Sequence, residues 1–398
     1  TLKVLAGLAA RRKVNENTMS RSDINSLRKE IQRFTLRRTK PQLNRMVDQH
    51  PELYRDHHGK PCRYPEHVSK IYDTGETEQD CTLAYRIHEL TQGLKGIALL
   101  EDCIAMSDGL RREGLSEEKY LLGRLSAIKS LSAYNIMSSL RSSKAALVEH
   151  LLGTTAAIAE MGLPADSKKA QTGNIIAKLQ AKALQPPPEI ELFCPAPHWV
   201  TNPQAYQQAC EEDVRILQAI LTCVQSMSPA RERAKAHKLM ELAQTHALIL
   251  AFDSHLISLE VIRQEIHRLD AQYPVFVAVG ADDTSRKHVM RHFARDAKGR
   301  GIALCSDSMS EGLNLQGASA IVHLDMPSVV RVAEQRVGRV DRMDSPHAVM
   351  QAWWPNDSEA FALRADERFL ERYQTVDVLL GSNMPLPEEF GAVSSTER

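Results

Sequence analysis

Residues 301–342 read GIALCSDSMSEGLNLQGASAIVHLDMPSVVRVAEQRVGRVDR. Two short apolar runs, at residues 301–305 and 320–324, flank a loop that contains serine and glycine, and an arginine-rich segment follows the second run. Each run is continuously apolar rather than alternating, which is typical of strands that are covered on both faces. The stretch therefore predicts two buried parallel strands, with a loop after the first and a helix after the second.

Three further apolar runs of the same kind extend this pattern. They lie at residues 247–252, 275–279 and 348–353, and helical stretches separate them. Buried strands that alternate with helices predict an α/β fold in which a parallel sheet is sandwiched by helices. We therefore expect an α/β fold, preceded by a mainly α-helical region.

The first half of the chain has a different pattern. Leucine and isoleucine recur at helical spacing at residues 83, 87, 90 and 94, which predicts helices. The three prolines at residues 186–188 cannot continue a helix, so this run is the best candidate linker. We therefore expect four parts, which are a connector at 1–67, a mainly helical subdomain at 68–190, the α/β lobe at 191–380 and a flexible tail at 381–398.

Composition argues against several classes of protein. The 50 Lys and Arg residues balance the 50 Asp and Glu residues, so any contact with nucleic acid must be local. Aromatic residues make up only 5%, which argues against a platform that stacks bases. The seven cysteines form no Cys-x-x-Cys pair, so we expect no metal site. No apolar stretch approaches the roughly 18 residues of a membrane span, so we expect a cytoplasmic protein, associated with the nucleoid if it is bacterial.

The loop after residue 305 and the arginine-rich segment are the places where we expect a ligand. Open parallel sheets bind ligands beyond the carboxyl ends of their strands, and Gly312 would let backbone amides approach a phosphate closely. The segment Gln335–Arg342 carries three arginines, and Arg339 and Arg342 share a face of the predicted helix by their i,i+3 spacing. Clustered guanidiniums repel one another unless anions compensate, and arginine suits phosphate recognition.

Neighbouring carboxylates give an alternative explanation of the same arginines. Glu334, Asp341 and Asp344 flank them and could neutralise them in a surface salt-bridge network. For an isolated arginine-rich helix this network would be the simpler explanation. The choice between a phosphate ligand and a network therefore depends on the surrounding motifs.

Those motifs resemble motifs V and VI of superfamily-two helicases, and the Swi/Snf-like branch fits best. The loop after residue 305, the strand that ends before Asp325 and the segment Gln335–Arg342 carry the resemblance in their order and spacing. The resemblance implies that the α/β lobe is the second RecA-like lobe of a nucleic-acid-dependent ATPase.

Three other segments are similar to parts of the same family. Residues 248–252 resemble the motif IV strand, and residues 142–147 are similar to the helical region of bacterial members. Residues 36–40, Leu-Arg-Arg-Thr-Lys, resemble the basic segment that joins the two lobes. The resemblance thus implies that residues 1–67 come from the end of the first lobe.

The family implies roles for the residues around the ATP. In these motors two lobes close over ATP with Mg²⁺, which the first lobe mainly holds, and the second lobe supplies arginine fingers. Carried over by motif, Arg339 and Arg342 would face the β- and γ-phosphates, and Gln335 would help to orient them. Such a finger raises turnover by about 10³–10⁵ in related phosphoryl transfer.

The loop after residue 305 would serve both ligands of the motor. The resemblance implies that Glu311, Gly312 and Asn314 line the edge of the nucleotide cleft. It also implies that Ser306, Ser308 and Ser310 lie near the backbone phosphates of DNA, with double-stranded DNA favoured over RNA. For each of these serines, helix capping or turn formation is the alternative role.

The sequence departs from the family in one major respect. The 398 residues contain no Gly-x-x-x-x-Gly-Lys-[Ser/Thr] loop and no acidic Asp-Glu-x-His-like strand. We therefore expect that the chain alone does not hydrolyse ATP, and that it is part of a longer motor or borrows its first lobe from a partner subunit. Two other functions stay open, namely a nonhydrolytic interaction or regulatory module that retains the helicase lobe and a motor directed at RNA.

Two further polar segments give weaker signals. Residues 253–255 read Asp-Ser-His, but no Gly-x-Ser-x-Gly elbow occurs, so we do not predict hydrolase chemistry there. Residues 286–298 form a local basic face, which could follow phosphates or could simply be solvated.

Overall fold

The computed structural model describes residues 21–34, 38–56, 59–60, 62–165, 167–168, 170–278, 283–310 and 314–390. The strands are β1 (Glu66–Asp73), β2 (Cys103–Ala105), β3 (Glu189–Glu191), β4 (Leu248–Phe252), β5 (Val275–Ala278), β6 (Gly301–Cys305), β7 (Ala320–His323) and β8 (Val349–Asn356).

The helices of the described residues alternate with these strands in the second half of the chain and dominate the first half. They are α1 (Arg21–Phe34), α2 (Lys40–Gln49), α3 (Glu78–Gly93), α4 (Asp108–Arg112), α5 (Glu117–Ser142), α6 (Lys144–Leu152), α7 (Thr154–Met161), α8 (Ile175–Ala183), α9 (His198–Thr201), α10 (Pro203–Gln225), α11 (Ala230–Leu242), α12 (Leu256–Leu269), α13 (Asp283–His292), α14 (Val330–Val337) and α15 (Arg364–Leu380). Within the described ranges, short 3₁₀ helices lie at Ile97–Leu99 and Asp307–Ser310.

Six strands form one parallel sheet in the order β1-β8-β7-β4-β6-β5. The central strand β4 pairs with β6 on one side and with β7 on the other, so that Ile249 lies beside Ile302 and Ala320. All five residues of β4 and of β6 are buried, which is why both strands read as unbroken apolar runs. The α/β fold class is confirmed, and so is a parallel sheet sandwiched by helices.

The two faces of the sheet carry separate cores. Helices α13, α14 and α15 cover one face, where Phe252 and Trp354 pack with Phe293 and Phe369. Helices α11 and α12 cover the other face, where the core is mainly aliphatic. Because each helix buries one apolar stripe against the sheet, the positions of the loops at the strand ends are fixed by packing on both sides.

Strand β1 has no counterpart among the strands predicted from the sequence, and it crosses the expected boundary between residues 67 and 68. This strand pairs with β8 in parallel, with Glu66 beside Val349 and Asp73 beside Asn356. It lies at the edge of the sheet and buries only Tyr72 fully, so its sequence has no continuous apolar run. The sheet therefore includes a strand from the part of the chain that we expected to be connector and helical subdomain.

The proline run at 186–188 also differs from its expected role as a linker. It leads directly into β3, which pairs with β2 in a small parallel sheet. Helices α9 and α10, which follow the run, contribute Val200 and Tyr206 to the same core as Ile87 and Leu147 from helices before it. The helical region thus continues beyond residue 190 as far as α10.

In the residues that the structure describes, no helix combines the length and apolar character needed to span a bilayer.

Candidate functional site

The carboxyl ends of β4, β6 and β7 bring together three segments of the chain. Asp253 follows β4, Asp307 lies just after β6, and Asp325 lies just after β7. The backbone N–H of Ser254 donates to Asp325 Oδ2 at 3.1 Å, which ties the end of β4 to the end of β7. Parallel strands place their carboxyl ends at one edge of the sheet, where ligand sites of open α/β sheets occur.

Arg336 lies at the centre of a buried ionic group, the Arg336 cluster, which it forms with Asp307 and Asp325. Arg336 is only 1% exposed. Its Nε donates to Asp307 Oδ1 at 2.7 Å, and its Nη1 donates to Asp325 Oδ1 at 2.9 Å. Side chains on a helix point back toward its N-terminus, so Arg336 reaches from the end of α14 to the strand ends. The cluster therefore fixes α14 against β6 and β7.

The Arg336 cluster sets the charge state of its members. Burial raises the pKa of Asp325, but the Arg336 charge and hydrogen bonds from Ser254 outweigh it and hold this pKa well below its usual value. Burial raises the pKa of Asp307 despite the neighbouring guanidinium. Burial and the Arg336 charge lower the pKa of His323 well below its usual value. Arg336 and Asp325 thus form a charged pair beside a neutral histidine.

Arg339 and Arg342 lie in the segment that follows α14, residues 338–342, which we term the arginine turn. Helix α14 ends at Val337, so the two arginines do not share a helix face as their spacing predicted. Gly338 is the C-cap residue of this helix, and glycine has low helix propensity. Arg339 Nε donates to the Gln335 carbonyl at 3.1 Å, and Arg342 Nε donates to the Gly338 carbonyl at 3.2 Å. Both side chains are therefore held against the backbone that precedes them.

The arginine turn contacts the loop that follows β6. The backbone N–H of Leu315 donates to the Arg339 carbonyl at 3.4 Å. Asn314 is exposed and directly precedes Leu315 in the chain. The structure thus brings the neighbour of Asn314 to the arginine turn, while Glu311 and Gly312 lie outside the described residues.

Two of the three carboxylates that flank the arginines, Asp341 and Asp344, have hydrogen-bond partners elsewhere in the chain. Asp341 Oδ2 accepts hydrogen bonds from Lys40 Nζ and, at 3.1 Å, from His67 Nδ1. Asp344 accepts a hydrogen bond from the side chain of Gln316. Two carboxylates of the expected network are therefore engaged by residues other than Arg339 and Arg342.

The serines after β6 differ in exposure. Ser306 is only 5% exposed, and its hydroxyl lies 2.6 Å from the Ser308 hydroxyl. Ser308 is exposed. The side chain of Ser310 lies outside the described part of the chain. Of the two serines whose side chains the structure describes, Ser308 is thus the one that is open to a ligand, and the buried Ser306 hydroxyl contacts it.

A second buried ionic group, which the sequence analysis missed, joins the helical region to the sheet. Arg141 in α5 is 2% exposed, donates to both oxygens of Asp366 at 2.8 and 2.7 Å, and donates to the Met326 carbonyl at 3.0 Å. Arg231 in α11 donates to the Arg141 carbonyl at 2.7 Å and to Asp357 at 2.9 Å. The sequence signal nearest to this junction was the similarity of residues 142–147, which directly follow Arg141, to the helical region of bacterial family members.

Polar groups around Asp253 extend this junction. Its Oδ1 accepts hydrogen bonds from Ser142 Oγ at 2.6 Å and from the His255 N–H at 2.8 Å. Asp253, His255 and Asp325 each offer an atom within 4.8 Å of the others, as metal ligands do. Burial lowers the pKa of His255, but hydrogen bonding and the charge of Asp253 raise it above its usual value. The charge of Asp253 thus favours the protonated form of His255.

The region that holds these residues matches a known domain. Residues 232–344 match the model of the helicase conserved C-terminal domain, and this range contains both the Arg336 cluster and the arginine turn. This part of the chain is a C-terminal helicase lobe. The lobe assignment confirms the resemblance that motifs V and VI carried.

Proteins with sequence similarity to this chain include a bacterial RNA polymerase-associated protein and a plant RNA helicase. The RNA polymerase-associated protein RapA of Serratia proteamaculans is 29% identical over 121 residues, which cover 30% of this chain and 12% of that protein. The DEAD-box ATP-dependent RNA helicase 35B of Oryza sativa subsp. japonica is 24% identical over 181 residues, which cover 45% of this chain and 29% of that protein. The matches thus span a minor part of each relative's length.

Solved structures similar to this chain include the C-terminal part of the Fun30 ATPase domain. It is 12% identical, with a TM-score of 0.36, over 79% of this chain and 97% of that chain. Structural similarity at this level adds nothing to the lobe assignment, which depends on the domain match.

Proposed function

We propose that this chain is the second lobe of an ATP-dependent translocase of the Swi/Snf-like type that acts on double-stranded DNA. In this proposal Arg339 and Arg342 are arginine fingers on ATP that a first lobe holds, and Gln335 orients them. The observation that carries the proposal is the arginine turn, which follows a helix anchored by the buried Arg336 and lies within the matched helicase domain.

The two arginines suit the charge that develops on a transferred phosphoryl group. A guanidinium stays protonated and presents its N–H donors in a fixed plane. Each Nε bonds to a backbone carbonyl four residues earlier, which fixes one edge of the guanidinium of Arg339 and of Arg342 against the turn. An arginine finger contributes about 10³–10⁵ in turnover in related enzymes, or about 4–7 kcal/mol of barrier.

The remaining ATP contacts would come from a first lobe. The phosphate loop and the acidic residues that hold Mg²⁺ belong to that lobe in superfamily-two motors, and the sequence of this chain contains neither motif. Asn314, together with Glu311 and Gly312, would border the nucleotide from the second lobe. We therefore propose that the chain requires a first lobe, in the same longer protein or in a partner subunit, for ATP hydrolysis.

The nucleic acid would contact the loop after β6. The exposed Ser308 is the first candidate to donate to a backbone phosphate, with Ser306 and Ser310 beside it. A DEAD-box RNA helicase is among the relatives, so RNA is the alternative substrate. Proteins named RapA are described as RNA polymerase-associated, which makes RNA polymerase a candidate partner.

The test measures ATP hydrolysis with and without double-stranded DNA by the completed protein, meaning this chain together with a first lobe. We expect DNA-stimulated hydrolysis by the completed protein and none by this chain alone. Arg339→Ala or Arg342→Ala should each lower turnover by about 10³-fold or more. Replacing the DNA by double-stranded RNA distinguishes the two substrates.

Arg215→Ala is the matched control. Arg215 is an exposed arginine in α10, and its Nε donates to the carbonyl four residues earlier at 3.4 Å, as those of Arg339 and Arg342 do. This control should keep full turnover. If the completed protein binds DNA but does not hydrolyse ATP, the chain is instead a nonhydrolytic interaction or regulatory module. If the finger variants keep their turnover, Arg339 and Arg342 are not arginine fingers.

A further inference from the structure

Asp341 lies between the two proposed fingers and is held by residues from distant parts of the chain. Its carboxylate is completely buried, with a side-chain exposure of 0%. Lys40 Nζ, at the start of α2, donates to Asp341 Oδ2 and to the Asn383 carbonyl, the latter at 3.0 Å. His67 Nδ1, in β1, lies 3.1 Å from the same carboxylate oxygen. The interior of the arginine turn is thus anchored to α2, to β1 and to the segment after α15.

The two residues that contact the Asp341 carboxylate, Lys40 and His67, are themselves held in place. The backbone N–H of Lys40 donates to Asn383 Oδ1 at 2.9 Å, so its main chain and its side chain contact the same residue. The His67 side chain is 6% exposed, and its Nε2 lies 3.2 Å from Ser69 Oγ. Buried hydrogen bonds between ionised groups are short and strong, and they limit movement at both partners. The carboxylate of Asp341 therefore has one well-defined position.

That position determines the path of the backbone that carries the arginines. The N–H of Asp341 donates to the Val337 carbonyl at 3.1 Å, and the N–H of Arg342 donates to the Val340 carbonyl at 2.9 Å. A carboxylate pinned at the middle of this turn fixes the Cα positions on both sides of it. The direction of the Arg339 and Arg342 side chains follows from those Cα positions.

We propose that Asp341 is a positioning residue of the arginine turn, and that Lys40 and His67 act through it to hold Arg339 and Arg342 in the orientation needed for phosphate contact. This inference rests on the proposed function. We call the contacts of Lys40 and His67 with Asp341 the clamp. Lys40 belongs to the segment that resembles the basic connector between lobes, so the clamp links that connector to the two proposed fingers. Asp341 itself touches no nucleotide in this arrangement.

The test compares steady-state ATP hydrolysis by the completed protein with Asp341→Asn, Lys40→Ala and Lys40→Arg. Misplacing a catalytic group by about 1 Å can cost about 100-fold in rate, so Asp341→Asn should lower kcat by about 100-fold. KM for ATP and the Kd for double-stranded DNA should stay close to those of the unsubstituted protein. Lys40→Ala should lower kcat in the same way, and Lys40→Arg, which keeps the charge, should restore most of it.

Lys168→Ala is the matched control for loss of a buried ion pair. Lys168 Nζ lies 2.7 Å from Glu149, and both side chains are largely buried in the helical region. This variant removes a comparable contact without touching the arginine turn, so its kcat should not change. A fall in kcat equal to that of Lys40→Ala would mean that general destabilisation explains both, and it would overturn the proposal.

Amide hydrogen exchange, measured on this chain alone, tests the clamp without depending on ATP hydrolysis. Asp341→Asn and Lys40→Ala should each speed amide exchange at residues 338–342, while exchange in β4 and β6 stays slow. Unchanged exchange in the arginine turn overturns the clamp whether or not the completed protein is an ATPase. If the unsubstituted completed protein is inactive while exchange responds as expected, the proposed function fails and the clamp stands as a feature of the fold.

Discussion

In the Arg336 cluster a guanidinium is almost fully buried, and two carboxylates neutralise it at 2.7 and 2.9 Å. In the arginine turn, which directly follows α14, Arg339 and Arg342 are half-buried and their Nε atoms bond to backbone carbonyls. The two regions come from one motif but differ in desolvation. A fully buried guanidinium cannot contact a ligand from solvent, whereas a half-buried one next to a loop can contact a phosphate. Repetition of arginine within a motif therefore does not imply repetition of its role.

The largest effect on stability should come from the buried arginine. Arg336→Ala leaves Asp325 and Asp307 without their common partner, and removing one member of a buried ion pair costs about 3–5 kcal/mol. We expect the free energy of unfolding of this chain to fall by that amount. Equilibrium unfolding in urea, followed by circular dichroism, measures it.

Arg342→Ala should have only a small effect on the free energy of unfolding, measured in the same urea experiment. Its guanidinium is half-buried, so removing it should change the free energy of unfolding by less than about 1 kcal/mol. Equal losses for Arg336→Ala and Arg342→Ala would contradict the distinction between a structural arginine and two ligand-facing ones.

Acid should destabilise the chain through His150 in α6. Burial, and then the charge of the neighbouring His255, lower the pKa of His150 to about 4. The pKa of a histidine in the unfolded chain is about 6.5, so between these values the unfolded state binds more protons. The stability that neutral His150 contributes is therefore complete above about pH 6.5 and is lost as the pH falls toward 4. We expect a loss of up to about 3 kcal/mol, measured by urea unfolding across this range.

His150→Gln isolates this contribution. His255 has the opposite sign, because its raised pKa gives stability that is present at low pH and is lost as the pH rises through the folded value. Both proteins contain His255, so the difference between their free energies of unfolding at each pH reports the contribution of His150. If the two proteins lose stability in parallel between about pH 6.5 and 4, His150 is not the group responsible.

Much of the α/β lobe was predictable because its strands are buried on both faces. The apolar runs at 247–252, 301–305 and 320–324 correspond to β4, β6 and β7 with differences of one residue. Strand β1 could not be predicted in this way, because an edge strand with half-exposed side chains has no such run. For the same reason, the sequence predicted the sheet but left out this edge strand.

The candidate site was predictable only in part. The motif located Arg339 and Arg342, but helical periodicity could not show that α14 ends at Val337. Contacts between distant parts of the chain leave no local pattern, so the partners of Asp341 and of Arg141 were invisible in the sequence. Lys40 and Asp341 are brought together by the fold alone.

The smallest expected effect is on DNA binding, and it concerns two serines of one loop. Ser306 is buried and Ser308 is exposed, so the pair gives a second comparison between a buried and an exposed group. Ser308 is exposed and would donate one hydrogen bond to a phosphate, which is worth about 1 kcal/mol, so Ser308→Ala should weaken binding of double-stranded DNA by about fivefold. Serine carries no charge, so the dependence of the Kd on salt should not change.

Ser226→Ala, at an exposed serine after α10 that bonds to the Thr222 carbonyl, should leave the Kd unchanged. Ser306 is 5% exposed and bonds to Ser308, so Ser306→Ala should affect DNA binding only through its neighbour and therefore less than Ser308→Ala does. A larger loss for Ser306→Ala than for Ser308→Ala would mean that the loop rearranges to present the buried hydroxyl. Exposure in the free lobe would then no longer identify the residues that meet the nucleic acid.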